Sequence, residues 1–126
     1  MPGELVTRFI TLIEQQQLPA ALELLAPDCE YDNVPVGKVH GTDQVSAVLG
    51  PFIGGFDEVE WVVHHQVASG TLADGTVMNE RVDRFRSGDR WVELPVMGLF
   101  RVIDGRITLW RDYFDMGALQ RMMGQG

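Results

Sequence analysis

RWVELPVMGLFRVIDGRITLWRDYFD, residues 90–115, decides the fold. Apolar and polar side chains alternate through both of its halves, the period of a half-buried strand, and Asp104-Gly105 divides them as a hairpin turn divides two strands. Toward the N-terminus, two more runs of the same kind cover residues 57–70 and 76–86. They are set off by Ala73-Asp74-Gly75 and, before residue 90, by Ser87-Gly88-Asp89. Four strands on short turns make an antiparallel meander. Pro95 and Gly98 are poor strand residues, so a bulge or sharp bend that curls the sheet into a concavity is expected in the third run.

Register decides which side chains enter that hollow, because a slip of one residue turns a strand over. A two-residue Asp104-Gly105 turn would set Asp112 opposite Met97, on the face of Glu93 and Arg101. A three-residue loop with a left-handed Gly105 sets it opposite Val96, on the face of Leu94, Gly98 and Phe100. The second register is preferred, since it keeps Glu93 and Arg101 together away from the apolar face.

The first half of the chain reads differently. Apolar residues at 5, 6, 9, 10, 12 and 13 form a helical stripe, and Leu18-Pro19-Ala20 opens a short second helix running to Leu25. Cys29 to Val34 is a strand that stops at Pro35, with Tyr31 and Asn33 on one face. Gly41-Thr42-Asp43 caps a third helix carrying Val45, Val48, Leu49 and Phe52 before Gly54-Gly55 ends it. A last short helix runs from about Asp115 to Met123. The fold class is α+β: a cone-like, strongly curved, mixed or antiparallel sheet packed with three to four helices, in one domain over residues 1–126.

Composition narrows the partners. The net charge is −8, with no cluster of Lys and Arg, so nucleic acid is not expected as a partner. No apolar run is long enough to span a bilayer, and the start has no basic segment followed by an apolar one, so a cytoplasmic home is expected. A single Cys29 forms no internal disulfide and reads as a small buried hydrophobe.

Chemistry lies in the strands. Arg81 and Asp83 are two apart and share a face with Phe85, as Asp112 does with Trp110 and Phe114. Two carboxylates on an apolar interior need a cation, and Arg81 is the candidate bridge; the bland alternative is a surface pair. His64 and His65, adjacent on a strand, face opposite sides and cannot ligate one metal; His40 falls in a loop. Asp32, Glu80 and Asp115 read as surface or capping groups, and Met116, Met122 and Met123 as core or pocket rim.

Taken together, Tyr31-Asp32-Asn33-Val34-Pro35, Glu80-Arg81-Val82-Asp83 and the run from Gly105 to Asp115 resemble the limonene-1,2-epoxide hydrolases in order and spacing. The resemblance extends from about Leu18 to Met122. It implies the curved-sheet fold shared with nuclear transport factor 2 and ketosteroid isomerase (NTF2-like, cystatin-like). It also implies a homodimer, a small apolar epoxide as substrate, no metal and no cofactor. By the same resemblance Asp83 matches the general acid, Asp112 the general base, Arg81 the residue bonded to both, and Tyr31 and Asn33 the groups that position the water. Leu49, Phe52, Leu94, Val96 and Phe114 are the expected pocket wall. The N-terminus is shorter than in the limonene enzyme and residues 50–59 have little in common with it, which bears on substrate identity. Two other readings suit the fold: a ketosteroid-isomerase-like or polyketide-cyclase-like enzyme, and a non-catalytic ligand-binding module.

Overall fold

The computed structural model describes residues 1–124, and within them the chain forms four helices and six strands. Helix α1 (Pro2–Glu14) begins on a proline, whose fixed φ suits a first turn, and buries Val6, Phe9, Ile10 and Ile13. Helix α2 (Leu18–Leu22) ends three residues before the expected Leu25. Pro27 holds the preceding residue extended, and Leu25 already pairs with Ile107. Strand β1 (Leu25–Asn33) therefore starts ahead of Cys29.

Strand β2 (Gly37–His40) occupies what reads as a loop, and His40 belongs to it. It returns antiparallel along β1, from Asn33↔Gly37 to Glu30↔His40. Four mostly exposed residues at a sheet edge carry no alternation by which to find them. Helix α3 (Thr42–Gly54) follows Gly41, which adopts φ +87 at the cap, and seats Val45, Leu49 and Ile53 in the core.

Strands β3 (Glu58–Gly70), β4 (Asp74–Ser87), β5 (Arg90–Ile103) and β6 (Arg106–Tyr113) form the antiparallel meander. The sheet order is β2-β1-β6-β5-β4-β3, with β1 parallel to β6, so the sheet is mixed. Helix α4 (Met116–Met122) is capped by Asp115, whose carboxylate accepts from the Ala118 N–H at 3.0 Å.

Three local expectations are corrected. The β3–β4 turn lies at residues 71–73, earlier than Ala73-Asp74-Gly75, because the Thr71 hydroxyl accepts from the N–H groups of Ala73 and Asp74 while Gly70 takes φ +83. The β4–β5 pairing runs without a shift from Asp74↔Ile103 to Ser87↔Arg90, so neither Pro95 nor Gly98 marks a bulge. Pro95 is tolerated because β6 pairs with β5 only over Met97–Ile103 and needs no N–H from it.

The third correction concerns Asp112. The β5–β6 turn has two residues, with Ile103 opposite Arg106 and both Asp104 and Gly105 at positive φ. That turn alone would put Asp112 on the outer face. A shift between Arg101 and Val102 leaves Thr108 as an extra residue in β6, which restores the inner face and pairs Asp112 with Gly98. The face is the expected one, and its partner is Gly98 instead of Val96.

The inner face carries Phe85, Leu94, Val96, Phe100, Val102 and Trp110, and α1 covers part of it. Phe9 meets Trp110 edge-on at 5.0 Å between centroids, and Phe100 stacks beside Trp110 at 6.2 Å. Each such side chain contributes roughly 1.5–3 kcal/mol by leaving water. Cys29 is fully buried, and burial followed by the charges of Asp28 and Glu30 pushes its thiol up to about 12. Among the described residues no helix is long and apolar enough to cross a membrane.

Candidate active site

Alternation along β4 sends Asn79, Arg81, Asp83 and Phe85 inward, and all four are buried. The restored register of β6 brings Asp112 to the same place from two strands away. Arg81 Nε donates to Asp83 Oδ1 at 2.8 Å and Nη2 to Asp83 Oδ2 at 3.3 Å; Nη2 also donates to Asp112 Oδ2 at 2.6 Å. The guanidinium is a bridge between the carboxylates, and the surface-pair alternative falls with its burial.

Parallel pairing of β1 with β6 sets Tyr31 beside Trp110 and Asn33 beside Asp112. The Tyr31 ring stacks on Trp110 at 4.0 Å, and the Val34 N–H donates to the Asp112 carbonyl at 3.1 Å, pinning the strand ends together. The five residues singled out in the sequence thus converge from β1, β4 and β6.

Four more residues complete the cluster. Trp110 Nε1 donates to Asp112 Oδ1 at 3.1 Å, so each oxygen of that carboxylate has its own donor. The two-residue spacing in Trp110-Arg111-Asp112 was a signal for this contact. Asn79 Oδ1 accepts from Arg81 Nη1 at 3.0 Å. Trp61, opposite Asp83 on β3, lies under the Arg81 guanidinium at 5.2 Å, a cation–π contact. Gly98 makes room: a Cβ there would overlap Arg81 Nη1. Its part is to admit a guanidinium, which no turn or bulge pattern announces.

A cavity of about 200 Å³ opens over the carboxylates. Asp83, Asp112, Tyr31 and Asn33 line it, while Arg81 lies behind them and does not. The expected wall residues Leu49, Phe52, Leu94, Val96 and Phe114 all line it, joined by Val36, Val48, Trp61, Phe85 and Leu119. A larger groove of about 630 Å³ between α1 and the far end of β3 offers one carboxylate, Glu4; the facing pair of carboxyls lines the smaller hollow.

Electrostatics acts on Asp83, Arg81 and Tyr31. Burial pushes the Asp83 carboxyl up to about 7; Arg81 pulls it down, and the Asp112 charge pushes it up again. Burial opposes the charge on Arg81, but Asp112 and Asp83 outweigh it and hold the guanidinium ionised. Burial and the Asp112 charge keep the Tyr31 phenol above its ordinary value. Near neutral pH the site thus holds a cation, an acid able to give a proton and a second carboxyl. The other polar groups singled out in the sequence lie outside it. Asp32 and Glu30 accept from Arg111, and His40 meets Glu30. The pairing shift at His64 breaks strict alternation there and leaves both His64 and His65 exposed, with His65 3.9 Å from Glu80.

The curved α+β sheet with its helices has the fold of the NTF2-like and SnoaL-like proteins. An NTF2-like protein of unknown function from Burkholderia pseudomallei superposes with a TM-score of 0.74 over 95% of each chain at 22% identity, a likeness of fold alone. Residues 2–124 match the limonene-1,2-epoxide hydrolase catalytic domain, and the chain belongs to that family. It is 34% identical to epoxide hydrolase EphG of Mycobacterium tuberculosis over 88% of its own length and 71% of the relative's. The structure of an M. tuberculosis LEH-like epoxide hydrolase superposes with a TM-score of 0.79 at 31% identity, covering 98% of this chain and 89% of that one. The protein is an epoxide hydrolase.

Proposed function

We propose that the enzyme adds water to a small apolar epoxide, limonene-oxide-like or cyclic, and releases a vicinal diol in one acid–base step without a covalent intermediate. An unactivated epoxide opens at neutral pH when its oxygen gains a proton as water loses one. Asp83 gives its proton to the epoxide oxygen. Asp112 takes one from a water that Tyr31 and Asn33 hold against the ring carbon, which supplies the orientation share of the rate. Arg81 bonds both carboxyls and holds them over the cavity. The acid–base pair supplies the polarisation for which other hydrolases use a metal, so the step calls for no cofactor.

The observation that carries this reading is the Arg81 bridge, at 2.8 Å to Asp83 and 2.6 Å to Asp112, beneath an apolar cavity that both carboxyls line. The test is diol formation by the purified protein from limonene oxide and cyclohexene oxide. Absence of diol from every member of a modest epoxide panel would overturn the reading in favour of a ligand-binding role.

The working form proposed is a homodimer, as the resemblance implies. The outer sheet face exposes Val67, Met78, Met97 and Tyr113, apolar side chains suited to a second copy that lie beside Glu80 and His65 and between ion pairs such as Arg84–Glu93 and Arg101–Asp74. Sedimentation of Met97→Glu against the parent protein tests it. The cytoplasm is the proposed compartment, consistent with a lone, buried cysteine.

A further inference from the structure

We propose that Asn79 is a positioning residue of this enzyme: it fixes the third edge of the Arg81 guanidinium and ties it, through Gln66, to helix α1. The proposal rests on the acid–base reading above. Arg81 Nε and Nη2 hold Asp83 along one edge, and Nη2 also holds Asp112. A guanidinium held at Nε and Nη2 alone, with Nη1 unpartnered, can still tilt about those bonds. The Nη1–H bond to Asn79 Oδ1, at 3.0 Å, removes that freedom, and it does so with a neutral acceptor. A third carboxylate at this point would add charge to a site that already has two.

Asn79 is itself fixed. It is 1% exposed, and its Nδ2 donates to Gln66 Oε1 at 3.2 Å. Gln66 Nε2 in turn donates to the Gly3 carbonyl and to Thr7 Oγ1, both at 3.3 Å, on α1. The two amides have no choice of orientation. Arg81 can only donate at one end of the chain and the Gly3 carbonyl can only accept at the other, so both side chains must point the same way along it. The shift in pairing at His64 is what makes the relay possible, because it brings Gln66 into register with Asn79. Through this chain the first turns of α1 set the angle at which Arg81 meets Asp83 and Asp112.

Asn79→Leu, which keeps the branched outline of the side chain but is larger, and Gln66→Met cut the relay at its two links. In Asn79→Leu, kcat for diol formation should fall about 10- to 100-fold with KM within about two-fold of the parent, the pattern of a group that orients the reacting set without touching substrate. In Gln66→Met, half-buried and easily accommodated, the fall should be several-fold. The second readout needs no substrate: nitrogen NMR of the Arg81 guanidinium in the full chain. Resolved Nη signals in the parent should broaden or merge as rotation is freed in each variant. Parent-like kcat and parent-like guanidinium signals in either variant overturn the proposal. If Asn79→Leu does not fold, Gln66→Met decides on the same two readouts. If the parent forms no diol, the hydrolysis reading fails, and the guanidinium signals alone decide the positioning claim.

Discussion

Replacing Gly98 with alanine should disable the enzyme while leaving its fold intact. The new methyl would overlap Arg81 Nη1 and stand 2.9 Å from Asn79 Oδ1 and 3.0 Å from Asp112 Oδ1, all inside the roughly 3.5–4.0 Å of a comfortable contact. Backbone φ is not the obstacle, since Gly98 is not among the glycines at positive φ. The guanidinium must therefore retreat by on the order of 1 Å, and it is held by three partners that resist. A displacement of about 1 Å in a catalytic group costs about 100-fold in rate, or about 2.7 kcal/mol of transition-state stabilisation. Overpacking adds about 1–3 kcal/mol of lost stability, a fall in Tm of about 3–15 °C for a chain of this size. Initial rates of diol formation give kcat and KM, and a thermal melt gives Tm. Gly54→Ala is the control: a Cβ there meets nothing, and both quantities should stay near the parent. If Gly98→Ala turned over within two-fold of the parent, the tight placement of Arg81 could not be what the rate depends on.

Asp83→Asn and Asp112→Asn should each abolish diol formation with a cooperative melt retained, because each removes one proton-transfer role at almost constant volume; near-normal turnover by either would reassign the residue. The folded chain binds the Asp83 proton more tightly than the unfolded chain does, so this group's contribution to stability declines as pH rises from about 4 through about 7, and urea midpoints should vary less with pH over that window in Asp83→Asn than in the parent. The same ionisation should set an alkaline limb on turnover, since the acid is spent above it. In a single turnover in H₂¹⁸O with enzyme in excess, the first diol should carry ¹⁸O on the opened carbon; unlabelled diol, with ¹⁸O left on an aspartate, would mean a covalent ester instead.

Much of this fold is written in periodicity. The stripe of α1 and the alternation of β4 and β5 declare themselves because each buries one face and wets the other. What periodicity omits is lateral offset. Thr108 is an unremarkable residue, yet its insertion in β6 decides that Asp112 meets Gly98, and with it that residues 81 and 112 touch. Strand β2 was hidden for a related reason: an exposed edge has no buried face to leave a pattern. At the site, the expected register placed Asp112 on the apolar face, but spacing alone left Arg81 and Asp83 open to a surface pairing; the assembled motifs of a known family decided for the interior. Trp110 and Asn79 could have been found from their two-residue offsets to Asp112 and Arg81. The role of Gly98 could not, because the need for an absent methyl exists only once the guanidinium's position is known.

The buried bridge itself argues for water activation over the other chemistry of this fold. Taking these ions out of water costs on the order of several kcal/mol each, and apolar residues of equal volume would serve stability as well or better, so the cluster is not explained by folding. An enzyme that removes a proton from carbon gains from a strongly basic carboxylate, and a permanent cation against that carboxylate weakens it. A held water makes a lesser demand, because it becomes acidic only as its oxygen bonds to the ring carbon. The demanding part is then the acid: a carboxyl that still carries its proton near neutral pH, beside another able to receive one. Burial raises Asp83 to that point, and Arg81, bonded to both carboxyls, holds Asp112 within reach of the same cavity.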